Sequence, residues 1–98
     1  MKSSDPFAFD AALTSRARLA ILSALVSLGD VEFVALKEAL KMTQGNLSVH
    51  AKKLEDAGYI RVDKKFVDRK PLTTFQITRQ GRDALVAHVR KLKKLIGE

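Results

Sequence analysis

The stretch from Thr43 to Ile60 constrains the fold more than any other part of this chain, because it signals both ends of one amphipathic helix. Thr43 is a residue type that caps helix N-termini, and Gly58 is one that ends helices in a left-handed conformation. The apolar residues between them recur at helical intervals and share one stripe: Leu47, Ala51 and Leu54. The pattern predicts a helix of about four turns that buries one face and exposes the other.

The exposed face of this predicted helix is polar and uncharged at its start and cationic further on. Its residues are Gln44, Gly45, Asn46, Ser48, Val49, Lys52 and Lys53. Gln and Asn can bond adenine in a bidentate way, Ser bonds several base edges, a Val methyl packs on thymine, and Lys reaches guanine or phosphate. Gly45 would let the first turn approach closely. The face suits a DNA major groove, although an ordinary helix with a solvated polar face has the same periodicity.

Positive charge is concentrated in the second part of the chain. The formal net charge is +7; residues 43–98 hold thirteen Lys and Arg against six acidic residues, whereas residues 1–42 hold five of each. Such an excess is the electrostatic footprint of a polyanion binder, although acidic proteins and membrane surfaces attract the same charge.

A chain of 98 residues is long enough for one domain with one modest hydrophobic core.

The composition excludes several kinds of site. The chain has no Cys, which excludes disulfides, thiolate metal sites and thiol redox chemistry. No nucleophile stands beside a base, no carboxylate pair stands out and the five glycines form no phosphate-binding loop, so we expect neither an enzyme nor a cofactor. The N-terminus lacks an apolar signal core, and the longest apolar run, residues 19–28, is too short to span a membrane. We expect a soluble, cytoplasmic protein without a membrane partner.

The first third of the chain predicts two helices. Asp5 and Pro6 are typical of a helix start, which predicts a short helix over residues 7–13. Thr14 is a candidate N-cap for a longer helix that ends at Gly29. The predicted core stripe of the longer helix is Ala17, Ile21, Leu22, Leu25 and Leu28. Two cations in its first turn oppose the helix dipole and are candidates for phosphate contacts: Arg16 and Arg18.

A helix-turn-helix and a β-hairpin follow. Residues 30–32 could pair at a sheet edge, and residues 33–40 predict a two-turn helix that a tight turn joins to the amphipathic helix. Residues 60–66 and 72–77 have the alternation and the β-branched or aromatic content of strands, with a turn predicted at residues 68–71. The hairpin carries four cations at its arm and tip: Lys64, Lys65, Arg69 and Lys70. A basic hairpin directly after a polar helix favours DNA binding over a merely solvated sheet edge.

The last predicted helix begins after Thr78 and ends near Ile96. Its apolar stripe is wider than a small domain needs: Leu85, His88, Val89, Leu92, Leu95 and Ile96. Members of the stripe recur at intervals of seven, so the same helix of a second copy could cover it, with Phe7 and Phe9 packing across. Two alternatives are that the stripe folds back on its own domain or lies on a membrane surface. We favour the dimer, because the first half of the chain already supplies enough apolar residues for the core.

The run from Leu47 to Ile60 resembles the recognition-helix signature of MarR/ArsR-like bacterial and archaeal transcription regulators, L-S-x-H-x-x-x-L-E-x-A-G-Y-I. The similarity extends to residues 16–22, to residues 64–66 and 69–71 of the hairpin, and to residues 78–82, so it covers nearly the whole chain. Within this group, the chain is most similar to the compact winged helix DNA-binding regulators that lack a separate ligand domain.

This resemblance implies a mainly α fold with a small β-hairpin (α+β), a winged helix-turn-helix whose N- and C-terminal helices form a homodimer. The implied parts of the single domain, residues 1–98, are a helix-turn-helix at 33–58, a wing at 60–77 and a dimerisation helix at 79–96. The implied function is that of a sequence-specific regulator of transcription, a repressor, that binds double-stranded DNA. The amphipathic helix would enter the major groove, and the four hairpin cations would contact the backbone or the minor groove.

Other functions remain open at this point. A winged helix domain that binds an acidic protein, or a nonspecific chromatin-like DNA binder, would share the fold and the charge. Metal sensing of the ArsR type is not expected, since it uses Cys with His or Asp clusters and this chain has no Cys and only two His. Of these, His50 fits a packed or hydrogen-bonded helix residue better than a ligand. The sequence identifies no small-molecule effector.

Overall fold

The computed structural model describes residues 8–97, which form four α-helices and a three-stranded antiparallel sheet. In chain order, the elements are α1 (Arg16–Leu28), β1 (Val31–Glu32), α2 (Phe33–Leu40), α3 (Gln44–Asp56), β2 (Ile60–Val67), β3 (Lys70–Ile77) and α4 (Arg79–Leu95), preceded by one 3-10 turn at Ala11–Leu13. The predicted winged helix fold is confirmed: α2 and α3 form the helix-turn-helix, and β2 and β3 form the wing.

The predicted caps fix the boundaries of the helices around the wing. Thr43 and Thr78 start α3 and α4, and each hydroxyl accepts a hydrogen bond from the backbone N–H three residues later. Gly29 and Gly58 follow α1 and α3 with φ values of +80° and +83°. This left-handed region costs little for glycine, because glycine has no Cβ to clash with the backbone. These helices therefore begin or end where the sequence indicates.

The segment before α1 differs from the predicted helix over residues 7–13, since only Ala11–Leu13 is helical in its described part. Asp10 caps this turn, because its short side chain bonds the backbone N–H two residues on and so favours a helix start over a helix interior. The N-cap of α1 is Ser15 rather than Thr14, whose hydroxyl donates to the 3-10 turn instead. The residues outside the described range include three that carried predictions: Asp5, Pro6 and Phe7.

The hydrophobic core lies between the first three helices and the base of the sheet. Its fully buried side chains are Leu13, Ile21, Leu22, Leu25, Leu36, Leu47 and Leu54. Ala51 and Phe75 are 4 % and 2 % exposed, so the whole predicted stripe of α3 is buried and the central strand closes the core. The predicted stripe of α1 is one residue too long, because Leu28 at the helix end is 61 % exposed.

The sheet has the strand order β1-β3-β2, and the two residues of β1 pair with β3 as an edge strand. Asp68 and Arg69 alone form the hairpin turn, with φ values of 52° and 65°. Two successive left-handed residues give the turn a twist that matches the twist of the flanking strands. Lys70 and Pro71, predicted as turn residues, therefore belong to β3, where they pair with Val67 and Phe66.

The start of α4 is pressed against the junction between α3 and β2. Thr78 donates its backbone N–H to the Tyr59 carbonyl oxygen at 3.0 Å and its hydroxyl to the Gly58 carbonyl oxygen at 2.7 Å. A Cβ at Gly81 would lie 2.1 Å from the Tyr59 carbonyl oxygen, so only glycine fits at this contact. From this fixed point α4 extends outward, and the molecule is 51 Å long but 22 Å across its shortest axis.

Candidate nucleic-acid interface

Every residue predicted to face a major groove is exposed along α3. These residues are Gln44, Gly45, Asn46, Ser48, Val49, Lys52 and Lys53. The opposite side of α3 is closed, because its apolar stripe is buried in the core. Thr43 fixes the first turn, since its hydroxyl accepts a hydrogen bond from Asn46 N at 3.1 Å. The helix therefore has one face free for a partner, and that face is polar and then cationic.

Gly45 stands out on this face because no contact with the rest of residues 8–97 requires a glycine there. No atom of these residues lies within 4 Å of the position that a Cβ would occupy, and the φ of Gly45 is not in the left-handed region. A glycine in a helix costs about 0.5–1 kcal/mol relative to alanine. A surface that approaches the first turn from outside would account for the absence of a side chain.

Lys52 has an internal partner on the same helix. Its Nζ lies 3.1 Å from Asp56 Oδ1 one turn further on, and the hydrogen bond and charge of Asp56 raise the pKa of Lys52. Both side chains are more than half exposed, and exposed ion pairs of this kind contribute little to stability. A DNA phosphate could therefore take the place of Asp56.

The four predicted wing cations line an exposed arm. They are Lys64, Lys65, Arg69 and Lys70. Strands β2 and β3 pair over eight positions, from Ile60 opposite Ile77 at the base to Val67 opposite Lys70 at the tip. Lys65 lies 3.7 Å from Asp63, which offsets part of the local charge. The arm thus presents cations along its length and at its tip.

A chain of hydrogen bonds holds the base of the wing. Arg61 Nε donates to Gln76 Oε1 at 2.8 Å, and Gln76 Nε2 donates to Asp30 Oδ2 at 2.7 Å. This chain links β2, β3 and the residue before β1, so it crosses the whole sheet. Arg61 therefore serves the base of the wing, whereas the four wing cations lie further out.

The polar face of α3 and the wing meet at one cleft of about 350 Å³. Two aromatic rings lie at the cleft, Phe33 and Phe75, with centroids 5.8 Å apart. The polar residues that line it come from both sides: Gln44, Ser48, Lys52 and the acidic Glu55 from α3, and Lys64 and Thr73 from the wing. The structure thus brings part of the predicted groove face and part of the predicted wing surface to the same side of the molecule.

The two candidate phosphate contacts at the start of α1 have different surroundings. Arg16 is exposed, whereas Arg18 is half-buried. The Arg18 guanidinium donates to the carbonyl oxygens of Ala12 and Ala11 at 2.7 and 3.3 Å. It also donates to Nδ1 of His50 at 3.1 Å, and His50 is half-buried as expected for a packed residue. Arg18 therefore ties the 3-10 turn to α3, and we keep only Arg16 as a candidate phosphate contact.

The end of α3 is held by a contact that sequence analysis missed. The Tyr59 hydroxyl donates a short hydrogen bond to the Asp10 carboxylate. This bond, together with partial burial and the carboxylate charge, raises the pKa of Tyr59 to about 12. The two residues are 49 positions apart, so no local pattern could have signalled the pair.

The predicted dimer stripe of α4 divides into a covered and an exposed half. Leu85 is half-buried and His88 is 7 % exposed, because His88 packs on Phe9 of the same chain with ring centroids 5.3 Å apart. Lys91 reinforces this contact by donating to the Ala8 carbonyl oxygen at 2.6 Å. The other members are 40 to 73 % exposed: Val89, Leu92, Leu95 and Ile96. Folding back on the domain thus accounts for the first half of the stripe only.

Between residues 8 and 97, no three acidic or histidine side chains lie close enough together to hold a metal ion. Over the same span, no helix combines the length and hydrophobicity needed to cross a membrane.

Comparison with known proteins places this geometry in a family. The model of a family described as winged helix DNA-binding domain matches residues 17–96. The uncharacterized protein MJ0432 of Methanocaldococcus jannaschii is 37 % identical over 78 residues, which cover 80 % of this chain and 85 % of that protein.

Two solved structures show the same similarity. The transcriptional regulator homologue protein from Pyrococcus horikoshii OT3 superposes with a TM-score of 0.81 at 30 % identity, covering 87 % of this chain and 84 % of that one. The transcriptional regulator BldR from Sulfolobus solfataricus superposes with a TM-score of 0.70 at 27 % identity, covering 84 % of this chain and 58 % of BldR. Because the family match runs from α1 through α4, this chain belongs to the family of winged helix DNA-binding domains.

Proposed function

We propose that this protein is a homodimeric repressor of transcription that recognises specific double-stranded DNA. The observation that supports this most is the convergence of the polar face of α3 and the cationic wing on one cleft. The family of the chain and the transcriptional regulators among its relatives support the same class of function. A major groove admits one α-helix, and amide and hydroxyl side chains are the groups that read its base edges.

Within this proposal, α3 and the wing have different tasks. The exposed residues of α3 choose the sequence, because base edges in the major groove differ in their pattern of donors and acceptors. The wing supplies affinity, because Lys and Arg neutralise phosphates whatever the sequence and release counterions. Arg16 adds a further phosphate contact at the start of α1.

The dimer is proposed from the exposed half of the α4 stripe. Its four side chains lie at the outer end of the last helix, where a second copy of α4 could cover them. Two α3 helices would then enter successive major grooves about 34 Å apart. Such a dimer represses by occupying a promoter and excluding the polymerase, which requires no further domain.

Selection of bound sequences from a random pool of duplexes tests the function directly. We expect an inverted repeat with half-sites one helical turn apart. Binding without any preferred sequence would identify a nonspecific chromatin-like binder instead. No binding to any duplex would favour the protein-interaction alternative and refute the proposal. Transcription in vitro from a promoter that carries the selected site then tests repression, which would show as fewer transcripts.

Variants separate the tasks of the two parts. Replacing Arg69 and Lys70 by Ala should weaken binding to all duplexes alike and reduce the salt slope by about 0.9 per lost phosphate contact. Asn46→Ala should instead relax the base preference at one position per half-site, at about 1–3 kcal/mol. Replacing Arg90 and Lys94 by Ala, which removes two exposed cations from α4, is the control for the change in net charge. Equal effects of all three changes would contradict this assignment.

A further inference from the structure

Phe66, near the tip of the wing, is the most exposed large apolar side chain of residues 8–97, at 76 %. Its partner across the hairpin is Pro71, which is also exposed. The core ends closer to the base of the wing, so neither side chain contributes to it. An aromatic ring and a proline ring thus form an apolar pair on one face of the arm near its outer end.

The alternation of side chains along β2 shows which way this pair faces. Ile60 is buried and Val62 is half-buried, so the even-numbered residues of β2 share the face that packs inward. Val62 and Lys64 line the cleft with α3, which places this face on the side of the proposed DNA surface. Phe66 continues the same face beyond Lys64, whereas Val67 belongs to the opposite face.

The charge around Phe66 indicates the kind of partner. Residues 61–71 hold five Lys or Arg and two Asp, so the apolar pair lies within a cationic hairpin. A polyanion is the partner that such a rim attracts. Proteins that bind the minor groove use Arg and Lys there and frequently insert apolar wedges, Phe and Pro among them, between base steps.

We propose that Phe66, backed by Pro71, is a wedge that enters the minor groove and partly unstacks one base step. This inference rests on the proposed DNA-binding function and assigns a residue that none of the groove or phosphate contacts above includes. Unstacking kinks the duplex toward the major groove, and pyrimidine–purine steps such as TA unstack most easily. Phe66 would therefore select flexible steps beside the major-groove site without a hydrogen bond to any base.

Two duplexes of the same length and composition test the wedge, one of alternating TA steps and one an uninterrupted A-tract. Both offer the same acceptors in the minor groove, so they differ in shape and stiffness. The narrow groove of an A-tract attracts cations, so a cationic wing without the wedge gives no reason to prefer the TA duplex. We expect the wild-type protein to prefer the TA duplex and Phe66→Ala to lose about 10-fold in affinity for it, while binding to the A-tract changes little.

The controls isolate the ring from the rest of the wing tip. Val67→Ala removes an apolar side chain from the opposite face of the same strand and should keep the wild-type preference. Phe66→Leu should retain more of the preference than Phe66→Ala, because it keeps an apolar wedge. A 2-aminopurine placed at a TA step should brighten on binding of the wild-type and Val67→Ala proteins but not of Phe66→Ala, since unstacking relieves its quenching.

The outcomes distinguish this inference from the proposed function. If the wild-type protein binds neither duplex nor any selected sequence, the proposed function fails. If it binds DNA but Phe66→Ala shows the same ratio of affinities as the wild type, only the wedge is refuted. The ring is exposed, so its removal should leave the thermal midpoint of unfolding unchanged, and circular dichroism checks this for each variant.

Discussion

Helices α3 and α4 both carry an apolar stripe at helical spacing, but the stripe of α3 is buried along its whole length and the stripe of α4 only in part. The stripe of α3 is buried at 0 to 4 % exposure between α1 and the sheet. The stripe of α4 is covered only in its first half, where Leu85 packs against the core and His88 against Phe9, and its outer four residues are 40 to 73 % exposed. A stripe therefore predicts which face of a helix seeks cover, but not what provides the cover.

The two helices also differ in how closely the rest of the domain packs against a glycine in their first turn, Gly45 in α3 and Gly81 in α4, and this difference has the largest expected effect. Gly81→Ala should destabilise the fold by about 4 kcal/mol or more, because a Cβ would lie 2.1 Å from a backbone oxygen that cannot rotate away. The Cβ of Gly45→Ala meets no atom of the described residues within 4 Å, so this change should stabilise the protein without DNA by about 0.5 kcal/mol. Chemical denaturation measures both changes.

DNA affinity is a second measurement on the Gly45→Ala variant. If Gly45 serves a close approach of α3 to DNA, Gly45→Ala should bind its selected site more weakly although it is more stable. A variant that is more stable and binds equally well would show that the first turn is not close to the groove. A Gly81→Ala protein with wild-type stability would mean that the contact between α4 and Tyr59 is looser than the structure shows.

Replacing a leucine of the α3 stripe should affect stability, whereas replacing a leucine of the α4 stripe should affect dimerisation and DNA affinity. Leu54→Ala should lower the free energy of unfolding by about 3 kcal/mol, since the side chain is fully buried. Leu92→Asp changes a side chain that is 43 % exposed, so the domain should stay folded. The Leu92 variant should instead be monomeric and lose tight binding to DNA with two half-sites while keeping weak, nonspecific binding.

Light scattering tests whether the Leu92→Asp protein is monomeric, and binding assays test whether it loses tight binding to DNA with two half-sites. Val26, exposed to a similar degree on α1, offers a matched control, and Val26→Asp should remain a dimer. A wild-type protein that is monomeric at micromolar concentration, or a Leu92→Asp protein that remains a dimer, would remove α4 from the proposed interface.

The smallest expected effect is the pH dependence of the contact that anchors the end of α3. The neutral Tyr59 hydroxyl donates to Asp10, and its pKa in the folded protein is about 12 against an ordinary value of 10.0. Because folding raises this pKa, the contribution of the Tyr59–Asp10 hydrogen bond to the free energy of unfolding is complete below pH 10. It declines as the pH rises from 10 through 12. Tyr59→Phe should remove that part of the decline.

The chain has a single Tyr, so the absorbance of tyrosinate reports on this residue alone. We expect its titration midpoint near pH 12 and a shift toward 10 in the Asp10→Asn variant, because an amide accepts a weaker hydrogen bond from the phenol than a carboxylate does and carries no charge. A wild-type midpoint near 10 that does not respond to Asp10→Asn would show that the contact is absent in solution.

Most of the fold was predictable because its signals are short-range. The caps at Thr43 and Thr78 and the left-handed Gly58 act on neighbouring backbone groups, so they can be read from a few residues. Where the prediction failed, two local signals competed. Asp10 ended the predicted N-terminal helix by capping a shorter turn, and strand pairing drew Lys70 and Pro71 out of the predicted hairpin turn.

The sequence by itself thus determined the order and limits of most elements, the buried face of α3 and the exposed polar and cationic residues of α3 and the wing. Only the tertiary structure decided how these parts are joined. Arg18 meets His50 across 32 positions, Tyr59 meets Asp10 across 49, and Lys91 meets Ala8 across 83. The covered half of the α4 stripe, the cleft and the direction of Phe66 depend on the same packing. Contacts between distant residues form only when the whole chain has folded, because the free energy that closes long loops comes from the shared core rather than from either residue.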